Sequence, residues 1–174
     1  MKVLVDTSVW SLALRRRSRL DDPAAQELRS LIDEGRVAMI GPIRQELLSG
    51  IRTHDAFEQL RDHLRPFSDE PLETADFERA AEHFNTCRIR GVQGSNTDFL
   101  IAAVAERRNL PVLTTDADFV RFARLLPIAV HGRAPQSEEP RTRAPSTSGR
   151  AGGTYRPGPV VRRLTPRGVK LGYG

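Results

Sequence analysis

One cysteine, one tryptophan and two lysines stand among 174 residues, and no long apolar run interrupts the polar background. A lone Cys87 closes no internal disulfide, and the histidines at 54, 63, 83 and 131 lack C-x2-C or H-E-x-x-H spacing, which argues against structural zinc. No segment approaches the roughly 20 apolar residues of a membrane span. The opening MKVLVDTS is strand-like and has no basic region, long apolar stretch and cleavage site, so the chain is expected in the cytoplasm. What is present, 39% apolar and 28% charged residues, suffices for one ordinary domain with a core and not for two.

The net charge of +5 is unevenly placed. Residues 1–132 carry 18 basic and 20 acidic side chains, net −2, whereas residues 133–174 carry 9 basic and 2 acidic, net +7. The second stretch is rich in Pro, Gly, Ser and Arg without apolar periodicity. It is expected to be a disordered basic tail that attracts phosphates weakly and without sequence preference, or is simply solvated.

Residues 1–132 alternate short apolar β-rich runs (2–5, 37–40, 111–114 and 127–130) with helical patterns. Continuous apolar strands separated by helices predict a parallel sheet covered on both faces, an α/β fold. Asp22-Pro23 opens a helix that Gly35 stops, and further helices are expected at 42–52, 54–64, 73–90, 97–108 and 119–125, with 91–96 as a Gly-rich turn. Trp10 and the phenylalanines at 57, 84, 99, 119 and 122 fall at helical spacing beside apolar residues and are expected in the core. His83 and Cys87, four apart, are read as packing rather than a metal pair.

Acids recur where the strands end. Asp6 follows the first run in VLVDTSVW, and Asp116 follows the third in LPVLTTDADF, with Asp118 two residues on. Ligands of open α/β sheets bind outside the carboxyl ends of the strands. Asp98 lies in the first turn of the helix TDFLIAAVAERR, on the face of Ile101, Ala102 and Ala105, and Glu46 lies in a helix just after the second run. Each alone is an ordinary turn former, helix cap or solvated residue. Together in a partly desolvated pocket they repel one another, and a divalent cation with oxygen ligands, Mg²⁺ or Mn²⁺, relieves that conflict.

Other chemistries with an acid after the first strand lack their parts. Asp6-Thr7-Ser8 is not Asp-x-Asp, and neither Lys2 nor Lys170 is placed to serve a phosphoryl group. The sequence has no G-x4-G-K-[ST], no G-x-G-x-x-G after the first strand and no G-x-S-x-G.

VLVDTSVW, the Glu after the second strand, SNTDFLIAAVA and LPVLTTDADF, in that order, make residues 1–131 resemble PIN-domain ribonucleases, in particular the VapC-type toxins of bacterial toxin–antitoxin pairs. The resemblance implies a PIN-like domain over 1–132, with a central parallel sheet flanked by helices and 133–174 outside it. It implies metal-dependent cleavage of RNA with Asp6, Glu46, Asp98 and Asp116 as the acidic set. Asp6 and Asp98 would be direct ligands, Asp116 would complete the cluster or hold a second ion, and Asp118 is the alternative to Asp116 as the fourth acid. Ser8 and Asn96 or Thr97 match supporting polar positions. The resemblance also implies a homodimer and a small antitoxin that covers the pocket, with Leu47, Leu48, Ile51, Phe57 and Leu60 able to line a partner groove. An acidic pocket must draw RNA with basic groups at its rim, for which Arg15, Arg16, Arg17 and Arg19 form the densest run, and Arg44, Arg88 and Arg90 are weaker candidates. Two other classes stay open: a catalytically silent PIN-like partner-binding module, and a PIN nuclease acting on DNA or in housekeeping RNA processing.

Overall fold

The computed structural model describes residues 1–14 and 22–132. The arginines at 15, 16, 17 and 19 and the expected tail over 133–174 lie outside the described residues. The sheet has three parallel strands in the order β2-β1-β3: β1 Val3–Val5, β2 Val37–Ala38 and β3 Val112–Leu113. Val3 pairs with Val37 on one side of β1, and Leu4 with Val112 on the other. Every residue of β1 is fully buried, the condition that favours apolar runs over alternation.

The fourth expected strand shrinks to one parallel bridge between Val130 and Val112. Pro127 has no N–H to offer a ladder, the Ile128 N–H turns back to the Leu126 carbonyl, and Gly132, at φ 76°, leads the chain away. The second strand is shorter than expected too, because Met39 leaves β1's ladder to bridge Asp69.

Around the sheet lie α1 Thr7–Leu14, α2 Pro23–Asp33, α3 Gly41–Leu48, α4 His54–Leu64, α5 Thr74–Ile89, α6 Asn96–Arg108 and α7 Asp118–Phe122. Asp22 caps α2, its Oδ1 accepting the Ala24 and Ala25 N–H groups at 2.9 and 3.3 Å, and Pro23 sits where its missing N–H costs nothing. The third helix ends four residues before the expected 52, since Ser49 is extended and Gly50 takes φ 79°. The last helix is displaced toward Asp118 and stops at Phe122.

Seven consecutive residues of α6, Phe99 to Ala105, are buried, so this helix is wrapped on all sides. Its far end is pinned to α5 by Asp76, which is fully buried and accepts from Arg107, Arg108 and the Glu73 N–H. Five of the aromatic residues expected in the core are there: Trp10 packs edge-on against Phe67, and Phe84, Phe99, Phe122 and Phe119 form a chain of ring contacts, whereas Phe57 is only partly buried on α4 and belongs to no core cluster. Cys87 is buried, and His83 places its Nε2 within 2.8 Å of the Glu106 carboxylate. Among the described residues no helix is long and apolar enough to cross a membrane.

Candidate active site

Parallel strands deliver their carboxyl ends to one edge, and in the order β2-β1-β3 the connection after β1 runs to the β2 side while the chain after β3 runs to the opposite side, where Val130 bridges Val112. That divergence opens a crevice beside β1, and Asp6 and Asp116 follow the two strands that border it. Asp98, in the first turn of α6, and Glu46, in α3, complete the wall. All four acids line one cavity of about 440 Å³, together with Thr7, Ser8, Ser11, Leu12 and Thr115. No basic side chain is among these lining residues.

Asp6 is buried, with 5% of its surface exposed. Its Oδ2 accepts the Ser8 hydroxyl at 2.6 Å and the Thr114 hydroxyl at 2.8 Å. Glu46 is exposed, and the Thr7 hydroxyl donates to its Oε2 at 3.0 Å. Asp98 is half-buried and forms a reciprocal cap with Ser95: its Oδ2 accepts the Ser95 N–H at 2.7 Å, while Ser95 Oγ accepts the Asp98 N–H at 3.1 Å. Burial pushes the Asp98 carboxyl above its usual range. The Ser95 hydrogen bonds oppose that rise, and the neighbouring charges of Asp6 and Asp116 reinforce it.

Asp116, not Asp118, faces the cavity. Asp118 gives its N–H to Asp116 Oδ1 at 2.8 Å and pairs its own carboxylate with Arg121 on the surface. Asn96 and Thr97 line a neighbouring groove between α5 and α6 instead of the acid cavity, and Thr97 shares a smaller pocket with Glu46. Arg44 is not free to grip a phosphate, because it pairs with Asp69 and donates to the Leu64 and Phe67 carbonyls. Arg88 and Arg90 are exposed at the end of α5. Thr7, Ser95 and Thr114 escaped the sequence reading. For Ser95 a signal existed, the S-x-x-D spacing of a capping box ahead of an apolar helix.

The donor set suits a hard cation. It consists of carboxylate and hydroxyl oxygens without sulfur or imidazole, and Asp98 is a carboxylate held beside two others at a cost that positive charge would remove. Among the described residues no three His, Cys, Asp or Glu groups converge tightly enough to cage an ion. An open ring of acids of this kind suits a hard divalent cation that keeps several of its waters.

An acid-walled crevice at the carboxyl edge of a parallel sheet marks the chain as an α/β protein with a candidate hydrolytic site there. The family model of the PIN domain matches residues 3–125. VapC ribonuclease Mb1587 of Mycobacterium bovis and ribonuclease VapC11 of Mycobacterium tuberculosis are each 36% identical to the chain over 129 residues, which is 71% of this chain and 92% of each relative. The chain belongs to the PIN-domain family, in the branch of the VapC ribonucleases. Its fold is similar to that of FitAcB from Neisseria gonorrhoeae (TM-score 0.58, 21% identity, 74% of this chain and 95% of that one). It is similar also to VapBC2 from Rickettsia felis bound to a DNA fragment from their promoter (TM-score 0.60, 17% identity, 75% and 96%).

Proposed function

We propose that this protein is the toxin of a VapBC-type pair, an endoribonuclease that uses a divalent metal, Mg²⁺ or Mn²⁺, to hydrolyse RNA phosphodiester bonds. The observation that carries this is the meeting of Asp6, Glu46, Asp98 and Asp116, from four separate segments, on one cavity without a basic neighbour among the described residues.

Asp6 and Asp98 are the ligands. In each, Oδ2 is committed to hydrogen bonds and Oδ1 is the oxygen left for an ion. Asp116 completes the acidic wall. An ion held by these carboxylates would supply a water of lowered pKa and would offset charge on the scissile phosphate. Glu46, tethered by Thr7 through Oε2, keeps Oε1 free to orient the attacking water and accept its proton.

Partners follow from two further surfaces. An apolar groove of about 670 Å³ is lined by Leu14, Leu47, Ile51, Ala56 and Leu60, and Ser11 belongs to both it and the acid cavity. An antitoxin segment seated there reaches the acids through Ser11. Of the residues expected to line it, Phe57 and Leu48 do not, and Leu48 packs against the core. The face of α5 bearing Phe77, Ala80, Ala81 and Phe84 is the surface for a second copy, since Phe77 is 54% exposed. Residues 1–132 form the nuclease domain, the basic stretch 133–174 lies outside it, and the protein works in the cytoplasm.

The test is cleavage of single-stranded and structured RNA with Mg²⁺, Mn²⁺ or chelator, beside folded Asp6→Asn and Asp98→Asn variants. Cutting that requires both metal and acids is the expected result. Metal-independent cutting, or cutting by both variants at the wild-type rate, refutes the assignment.

A further inference from the structure

Asp6 is the buried acid of the pocket, and a buried carboxylate is stable only when its oxygens are provided with donors. Two hydroxyls serve one oxygen: Ser8 Oγ and Thr114 Oγ1 both donate to Oδ2, at 2.6 and 2.8 Å. Each hydroxyl has a single proton. With both given to Asp6, the 3.4 Å approach between Ser8 Oγ and Thr114 Oγ1 has no proton of its own. The two oxygens are left as acceptors, and both are used. The Thr115 N–H donates to Ser8 Oγ at 3.1 Å, and the Asp116 N–H donates to Thr114 Oγ1 at 2.9 Å. A directed chain therefore runs from the backbone of one acid, through the Thr114 hydroxyl, to the carboxylate of another.

We infer that Thr114 is a positioning residue of the nuclease site, its one hydroxyl orienting the Asp6 carboxylate while fixing the turn that carries Asp116. The inference rests on the nuclease reading of the pocket. Asp6 and Asp116 follow different strands, and nothing in β1–β3 pairing sets the rotation of one carboxylate or the path of the chain beyond Leu113. The Thr114 hydroxyl supplies both constraints at once. Partners that orient metal-holding side chains in this way typically change metal affinity 10- to 100-fold when removed.

Thr114→Val keeps the shape and deletes the hydroxyl, whereas Thr114→Ser keeps the hydroxyl. The three proteins, shown to be folded by circular dichroism, are compared for Mn²⁺ affinity by calorimetry, for RNA cleavage, and for hydrogen exchange at the Asp116 amide in chelator. In Thr114→Val the Asp116 amide exchanges faster, Mn²⁺ binds about 10- to 100-fold more weakly, and kcat falls while KM for RNA holds. Thr114→Ser stays near wild type in all three. A folded Thr114→Val protein with wild-type Mn²⁺ affinity and kcat overturns the inference, as does equal impairment of Val and Ser, which would assign the role to the methyl group. Failure of the wild type itself to bind Mn²⁺ and cleave RNA is a different result: it removes the nuclease reading, and this inference with it.

Discussion

Replacing Asp76 with asparagine tests how α6 is anchored. The carboxylate has no exposed surface and accepts four hydrogen bonds: Arg107 at 2.5 Å, Arg108 at 2.9 and 3.0 Å, and the Glu73 N–H at 2.8 Å. Burial alone would push its pKa up, but the Arg108 bonds, the Glu73 N–H and the Arg107 bond outweigh it and bring the carboxyl down to about 2. Against an ordinary 3.8, that corresponds to about 2 kcal/mol of stability at neutral pH. The sign follows from the depression: the contribution is complete above the unfolded value near 4 and disappears as pH falls through about 2. Asparagine removes the charge and leaves two guanidinium groups, 29% and 22% exposed, with a poorer acceptor. Partial exposure of the arginines moderates the usual penalty for breaking a buried pair, giving a loss of about 2–4 kcal/mol and a Tm lower by about 10 °C. Urea melts at pH 7 and at steps down to pH 2 measure it, and the variant should have a shallower acid limb. Asp118→Asn is the control, because its partner Arg121 is 64% exposed and the pair should be worth under about 1 kcal/mol. The pin lies about nine residues, or roughly 14 Å, along α6 from Asp98, so kcat of the folded variant should hold. A change below about 0.5 kcal/mol, or an unaltered acid limb, refutes the reasoning.

Asp98→Asn should separate stability from activity. Its carboxyl is raised, so the charged form opposes folding above that pKa and the opposition fades as pH falls through it. Asparagine retains an oxygen for the Ser95 N–H, so the metal-free variant should melt no lower than wild type while cleavage falls at least about 100-fold; a clear drop in Tm contradicts this. Gly94→Ala would bring a Cβ to 2.6 Å from Phe122 Cζ, costing about 1–3 kcal/mol, and Phe122→Leu should recover part of that in a double-mutant cycle. Additivity in the cycle would show that the two sites do not meet. Removal of 133–174 should preserve turnover and reduce only salt-sensitive RNA affinity, which titration at several salt concentrations measures; a folded truncation without turnover would be the opposite result.

The parallel sheet was legible because runs such as 2–5 and 111–114 are apolar throughout, and helix limits were legible where chemistry marks them, as at Asp22-Pro23 and Gly35. The fourth strand was misjudged because Val130 looks like any buried β-branched residue, and only the backbone shows that Pro127 and Gly132 leave it a single pairing. The four acids that line the cavity could be picked out from their places: Asp6 and Asp116 after strands, Asp98 in a first turn, and Glu46 in the helix that follows the second strand. Choosing Asp116 over Asp118 needed the turn itself, in which one N–H is bonded back to the other's carboxylate. Arg44 shows the opposite limit: its charge is visible in sequence, but its commitment to Asp69 and two carbonyls is a property of the packed loop.

Sequence separation between the acids has a consequence for synthesis. The pocket draws on positions 6, 46, 98 and 116, and its border strands are β1 at the start of the chain and β3 at 112–113. A ribosome that has released the first hundred residues has made three of the four acids but neither β3 nor the Thr114 clamp on Asp6. Domains acquire their cores as units, so the nascent chain has no assembled crevice until almost the whole fold has emerged. A polypeptide able to cut RNA is thereby harmless to the machinery making it until synthesis of the domain is nearly complete.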